Sequence, residues 1–543
     1  MKIDALQRQD DRDPLLRSSE QPTAYRTNEI WPNKGIRYLD TFLASPDFIA
    51  IGIVFFSSAV FQKFVDMPLQ DFAEESLGAT HDQIAAIKYS RALPYMLRII
   101  FGVLSDVHPI GIRHRKPYLV LGVAVTCIST TVVAIMTSNI SSKHTSITVE
   151  ILCTILFVAS LGDSLATLMA GVMILEHSHM YETKDNRGAM QASALVSHFC
   201  GKVVGGIASV SITSNGFFLQ QVSISTIFSS IAGGCTLLYI PSIITLVDCR
   251  LVTRRSFRDD DDVSIWQSLR QDITALSGKV INVARDRIVQ KLFILLYAIS
   301  ALQMGNPAWA TFLSSSLSYA TRDIQILDIL GNVASLATVG VFQSCFSVKY
   351  DKLLLVLGIL SAGLVNLTLL ASLSNGTMDI LFFQDGIIVS IITVVSYAGG
   401  ALQLCVLYRY FIEVCGKNGQ YSGVLYSILT SLLMFGSAAS KGLGAQLKNN
   451  FDVSHVTLGM HDYSDFRRLT FFCSFVPIVP VAGTILLFPK NYQIDLICAV
   501  DSGEKDDGSF HSGKALALFY VAALILAVTI LELSAADVAD EYP

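Results

Sequence analysis

The stretch from Pro94 to Gly122, PYMLRIIFGVLSDVHPIGIRHRKPYLVLG, decides the fold. It leaves an apolar run at Asp106, passes through a short turn, and re-enters an apolar run at Pro117. Apolar runs near 20 residues long are membrane spans by length. The turn between them holds Arg113, Arg115 and Lys116, and a Lys/Arg excess marks a cytosolic loop. Gly102 lets a neighbouring helix approach closely. Asp106 is placed to pair with the basic group and latch one conformation.

Working outward, the whole chain follows the same pattern. Of its 543 residues, 52% are hydrophobic and 15% charged, whereas a soluble domain carries about 25% charge. The expected class is an all-α polytopic membrane protein. A net charge of −5 gives no reason to expect a nucleic-acid partner. Ten cysteines are scattered without a CxxC pair or metal-ligand spacing, so neither a disulfide framework nor a metal site is indicated. Spans are predicted at about 47–65, 84–104, 118–138, 149–175, 190–212 and 222–247. A second set falls at about 289–309, 324–346, 353–372, 380–406, 421–445 and 467–488.

The organisation read from this is a cytosolic N-terminal tail at 1–45, with no signal peptide, and a six-helix bundle at 46–248. A cytosolic linker at 249–288 containing RRSFRDDDDV leads to a second six-helix bundle at 289–490 and a C-terminal tail at 491–543. Inward loops then carry Arg113, Arg115, Lys116, Lys184, Arg187, Lys349, Lys352, Arg409 and Lys417, against Lys143, Arg322, Lys448, Arg467 and Arg468 outside. A further apolar run, Leu516–Leu533, is long enough for a thirteenth span. Crossing the membrane and lying against the bundle both remain open for it.

Two six-helix bundles joined by a charged connector are the outline of the major facilitator fold, whose substrate site lies near the bilayer midplane between the halves. The loop after the second span resembles the signature of that superfamily through Gly102, Asp106, Arg113, Arg115 and Lys116. Its detail is similar to the folate–biopterin transporter family: Pro94, Arg98, Gly102, Ser105, Asp106, Pro109, Gly111, Arg113, Arg115, Pro117 and Tyr118. A second match runs from Glu176 through NRGAMQASALVSHFCGKVVGGIAS, by Arg187, Gly188, Gln191, Gly201, Gly205 and Gly206. A third is GQYSGVLYSILTSLLMFGSAASKGLGAQL, by Gly423, Tyr426, Ser431, Gly436, Ser440, Leu443, Gly444 and Ala445.

The resemblance implies a secondary transporter of folate- or pterin-type organic anions, proton-coupled, without a cofactor. Three positions depart from the family pattern. Gly171 and Thr167 stand where the family usually has Asp, and Arg98 replaces a Lys. S-adenosylmethionine or an amino acid therefore stays open as an alternative cargo, and so does a non-transporting membrane receptor. No P-loop, nucleophile elbow or HExxH motif points to a pump or an enzyme.

Charge at a helix centre costs roughly 2.5–3.5 kcal/mol on insertion scales, so the charges inside spans are the candidate site. At about 100° per residue, Lys88, Arg91, Tyr95, Arg98 and Gly102 share an arc of roughly 80° on the second span. Arg91 and Arg98 can bind a carboxylate bidentately, and Tyr95 can stack on a flat ring. Lys202, one turn from His198 on the fifth span, is a further substrate candidate. Asp163 and Glu176 on the fourth span are candidate proton carriers; for Asp163, a permanent ion pair with Arg91 or Arg98 is the equal alternative. Asp328, Asp385 and Lys441 read as gate or interface residues.

The N-terminal tail contains DRDPLL, in which Asp11, Leu15 and Leu16 have the spacing of an acidic dileucine signal read by clathrin adaptors. With that partner the chain belongs in a lysosomal or vacuolar membrane, and without it in the plasma membrane. N-x-S/T triplets begin at Asn139, Asn366 and Asn375. Asn366 falls inside a span and the others lie close to the membrane, so none is a strong glycan site.

Overall fold

The structure is a computed structural model. It describes residues 46–108, 110, 115–138, 148–182, 188–213, 223–246, 274, 287–302, 309, 313–314, 319–345, 351–372, 386–417, 422–450 and 464–488. The dileucine stretch, Arg113, Asp385, the linker acids and Leu516–Leu533 lie outside these residues. Nearly all the described residues are helical.

In chain order the helices are α1 (Pro46–Asp71), α2 (His81–Met96), α3 (Arg98–Val107), α4 (Lys116–Ser138), α5 (Val149–Tyr181), α6 (Ala189–Thr213) and α7 (Ile224–Thr245). They continue with α8 (Arg287–Leu302), α9 (Thr321–Cys345), α10 (Asp351–Ser372), α11 (Gly386–Lys417), α12 (Ser422–Asn450), α13 (Ser464–Phe475) and α14 (Ile478–Leu487). Among the described residues, nine helical segments are long and apolar enough to cross a membrane. Side chains that would be buried in a soluble protein face outward, with Leu237 73% and Ile244 72% exposed. That inversion is expected where the solvent is lipid.

Two expected spans are broken, each at a proline. The second span divides into α2 and α3 at Leu97. Pro94 has no N–H to give the preceding turn, and its own carbonyl accepts from Leu97 N at 3.1 Å in a tightened turn. The twelfth divides into α13 and α14 around Val476 and Pro477. Sequence alone gave both as continuous. The tenth span also runs further than expected, to Lys417, which puts Arg409 inside helix α11 and buried rather than in a loop.

Helix starts are set locally. Thr80 and Gln83 form a capping box on α2, and Thr148 and Ser223 cap α5 and α7. Packing then uses small residues. A Cβ on Gly122 of α4 would stand 2.6 Å from the Gly162 carbonyl oxygen and 2.7 Å from Ala166 N, both on α5. A Cβ on Gly201 of α6 would stand 2.4 Å from the Phe56 carbonyl oxygen on α1. With no hydrophobic drive between helices in lipid, such backbone approach supplies the van der Waals contact that holds them.

Neighbouring helices pair as α1 with α6, α4 with α5 and α7, and α2 with α5; later in the chain, α9 pairs with α11, α10 with α11, and α8 with α12. Helices α1–α7 meet helices α8–α14 chiefly along two seams, α3 against α12 and α6 against α9. Both seams are close: a Cβ on Gly102 would stand 2.8 Å from the Gly423 carbonyl oxygen, and one on Gly206 would stand 2.9 Å from Ile329 Cγ1.

Gly122→Ala is expected to destabilise the fold by about 1–3 kcal/mol, since overpacking against backbone forces a shift. Gly233→Ala in α7, where nothing lies within 4 Å, should be neutral or slightly stabilising because Ala favours helix. Thermal denaturation in detergent micelles of the two variants checks this. Equal midpoints would show that the α4–α5 contact is not under this constraint.

Candidate functional site

The break between α2 and α3 builds the centre of the site. Arg98 is the first residue of α3 and is 8% exposed. Its guanidinium donates to Thr167 Oγ1 at 3.0 Å and Ser164 Oγ at 3.3 Å, both on α5. Ser164 in turn donates to the Pro94 carbonyl at 3.2 Å. The proline break thus supplies the acceptor that orients the hydroxyl holding Arg98. Among the described residues Arg98 makes no ion pair, and the alternative of a permanent pair with Asp163 is not what the structure shows. A buried unpaired charge is costly, so this position favours an incoming anion.

Aromatic rings surround it. Arg98 lies 5.0 Å over the Tyr95 ring, a cation–π distance. Tyr408 on α11 and Tyr426 on α12 lie within range of its charge. Those two rings sit 6.4 Å apart, and Phe411 packs against them at 5.3 and 6.3 Å. A Cβ on Gly171 of α5 would stand 2.6 Å from Tyr426 Cε1 and Oη. The two departures from the family pattern therefore have local uses: Thr167 holds Arg98, and Gly171 makes room for Tyr426.

Asp163 is 1% exposed and belongs to a different set of partners. Its Oδ2 accepts from Ser58 Oγ at 2.8 Å, from Gln62 Nε2 at 3.1 Å and from the Tyr95 hydroxyl. Its Oδ1 is buried with no hydrogen-bond partner. Tyr95 touches both groups, through its ring at Arg98 and its hydroxyl at Asp163.

At the end of the bundle that carries the basic loops, Arg115 is 1% exposed in side chain, paired with Asp106 and, at 3.1 Å, with Glu176 on α5. Burial works against its charge, but Asp106 and Glu176 outweigh it and hold the guanidinium above its ordinary range. Asp106 Oδ2 accepts from Val424 N at 2.8 Å, and Glu176 Oε1 from Ser422 Oγ at 3.4 Å, both at the start of α12. This joins α3 and α5 to α12. Lys116 donates to the Leu246 carbonyl at 2.7 Å.

At the opposite end Lys63 of α1 pairs with Asp328 of α9 at 3.1 Å, and Asp328 also accepts from the Tyr397 hydroxyl of α11. Arg91 is tied to Asp66 at 2.6 Å and Lys88 to Gln70 at 3.0 Å. Lys202 lies within range of Lys63, Asp328 and Asp66 and 5.3 Å from the Phe199 ring. Along α3, about 12 Å of helix separates Arg98 from Asp106, and along α5 about 20 Å separates Asp163 from Glu176, at 1.5 Å per residue.

Of the residues expected in the site, the structure brings together Arg98, Tyr95 and Asp163. It places Arg91 and Lys202 toward the Lys63–Asp328 end, and Glu176 in the Arg115 cluster rather than beside Asp163. Gly102, Asp106 and Arg115 do assemble with α12. Ser58, Gln62 and Asp66 on α1, and Lys63 beside them, were not singled out by the sequence, although the four-residue spacing of the first three on an apolar helix is a legible signal. Ser164, Tyr397, Tyr408 and Asp351 were not singled out either. A groove of about 740 Å³ between α4 and α7 is lined by aliphatic, Ser, Thr, Ala and Gly side chains with no charged one, and lies apart from this chemistry. Among the described residues no cluster of His, Cys, Asp and Glu could hold a metal ion.

Comparison with known proteins places this geometry. The chain is similar to a bacterial homologue of the iron transporter ferroportin in an outward-facing state, with a TM-score of 0.57 and 13% identity over 82% of this chain and 99% of that one. It is similar to the human organic anion transporter MFSD10 (TM-score 0.55, 11% identity, 84% of this chain and all of that one) and to the nucleoside transporter NupG (TM-score 0.51, 13% identity, 81% of this chain and all of that one). The fold is that of the major facilitator transporters. A probable folate-biopterin transporter 4 from Arabidopsis thaliana is 26% identical over 163 residues, 29% of this chain and 28% of that protein's length. Residues 60–506 match the model of the BT1 family. The chain belongs to the BT1 family.

Proposed function

We propose that the protein is a secondary transporter that moves folate- or pterin-type organic anions by alternating access, coupled to protons. The observation that carries this is Arg98, a buried guanidinium held by hydroxyls, without a carboxylate partner among the described residues, lying against the Tyr95 ring and within electrostatic range of Tyr408 and Tyr426. A planar anionic solute suits that set: the guanidinium takes a carboxylate and the rings take the flat portion. The partial match to a probable folate-biopterin transporter supports the substrate class.

In this reading 46–248 and 289–490 move as two bundles about the site, with the basic end cytosolic. The Arg115–Asp106–Glu176 cluster on α12 closes the cytosolic side, and Lys63–Asp328 closes the other. Opening the cytosolic side breaks the Val424–Asp106 and Ser422–Glu176 hydrogen bonds, about 1.5–3 kcal/mol each, and opening the other breaks the part-exposed Lys63–Asp328 pair. Cargo and proton offset that cost by binding the intermediate states better than the closed ones. Asp163 carries the proton. Once it is neutral, the positive field at Arg98 is less opposed and an anion binds more tightly, which gives symport its direction.

Uptake into proteoliposomes of labelled folate, biopterin and S-adenosylmethionine, with and without an inward proton gradient, tests the reading. Saturable folate or pterin uptake stimulated by the gradient is expected. Arg98→Ala should abolish it, whereas Arg98→Lys, which keeps charge but loses the fork, should keep a reduced rate. Uptake of S-adenosylmethionine alone would refute the anion assignment.

Asp163→Asn should leave folate exchange intact while removing gradient stimulation. Gradient stimulation in that variant equal to the parent would exclude Asp163 as the carrier.

A further inference from the structure

Residues 115–122, RKPYLVLG, and 351–358, DKLLLVLG, share Lys, Leu, Val, Leu and Gly at matching places. Their contacts repeat as well. Lys116 donates to the Leu246 carbonyl at the end of α7 at 2.7 Å, and Lys352 to the Ile485 carbonyl near the end of α14 at 2.7 Å. A Cβ on Gly122 would stand 2.6 Å from the Gly162 carbonyl oxygen on α5, and one on Gly358 2.8 Å from the Gly399 carbonyl oxygen on α11. The two octets are equivalent parts of an internal repeat, in which α5 corresponds to α11.

Their first residues carry opposite charge. Arg115 pairs with Glu176 on α5, while Asp351 pairs with Arg409 on α11 at 2.6 Å. Asp351 is 1% and Arg409 8% exposed, so this pair too is shielded from solvent. The first cluster reaches across to the start of α12. Arg409 reaches across to the start of α6, where a Cβ on Gly188 would stand 3.3 Å from Arg409 Cγ. Gly188 has φ +95°, a conformation that L side chains rarely adopt. Phe342 of α9 lies 4.5 Å from the guanidinium carbon and fixes its plane.

We propose that Asp351 and Arg409 form a second latch at the basic end, with the polarity of the first reversed, which positions Gly188 and the start of α6. The first latch holds α12 and the second holds α6, so each set of six spans grips one helix of the other. Both grips must release for that end to open. The inference rests on the alternating-access reading only in that the end opens at all; it does not depend on the cargo.

Cys415 of α11 reports on this end. It is fully buried, lies within range of the Asp106 charge, and sits six residues beyond Arg409. With Cys415 kept as the one cysteine of the chain, its modification by a membrane-impermeant maleimide is followed from the basic face in inside-out vesicles. Asp351→Asn and Arg409→Gln should each speed modification at least about fivefold, the lower bound of ordinary conformational coupling. The exchange Asp351→Arg with Arg409→Asp should return it to the parent rate, a rescue that a residue needed only for folding would not show. Gly188→Ala, which leaves both charges in place, should also speed modification. Parent rates in the single variants would overturn the latch, as would an exchanged pair that labels like the singles. Latch-dependent labelling in a protein that takes up no folate or pterin would refute the substrate reading and leave the latch standing.

Discussion

A guanidinium inside a lipid-facing bundle has to be answered, because the bilayer offers no water and few polar groups. Arg115 and Arg409 are answered by carboxylates, and both sit where earlier and later helices of the chain meet. Among the described residues Arg98 is answered by two hydroxyls and a ring. This difference organises the rest. In the proposed mechanism the satisfied cations hold the bundle closed and the under-satisfied one receives the cargo.

The local chemistry around Arg98 follows from Pro94. By interrupting the second span it frees a carbonyl, which orients Ser164, which in turn receives Arg98. The break also turns Tyr95 so that ring and hydroxyl face different groups, the cation and Asp163. Glycines do complementary work elsewhere. Gly102 lets α3 approach the backbone of α12, while Gly171 and Gly206 make room for the Tyr426 and Ile329 side chains of the helices opposite.

Much of this was legible in the sequence. The helical membrane class and the Asp106–Arg115 contact followed from composition and motif spacing, and Arg98, Tyr95 and Asp163 do come together. The pairing of charges was not legible. Sequence cannot tell which of several cations meets a given carboxylate, because that depends on helix rotation and depth. Arg91 finds Asp66 from α1, and Glu176 is drawn to Arg115 some 20 Å of helix away from Asp163. The repeat of the octet at 351–358 was visible in the letters, but its meaning lay in the sign change at Asp351, which gains sense only beside Arg409.

The claim at the centre is that proton binding at Asp163 and anion binding at Arg98 are linked. Calorimetry of folate binding to the purified protein, repeated in buffers of different ionisation enthalpy, measures the protons taken up on binding. Net uptake that disappears in Asp163→Asn is expected if the two are linked. Folate binding with no proton uptake in the parent protein, or with the same uptake in Asp163→Asn, would contradict it.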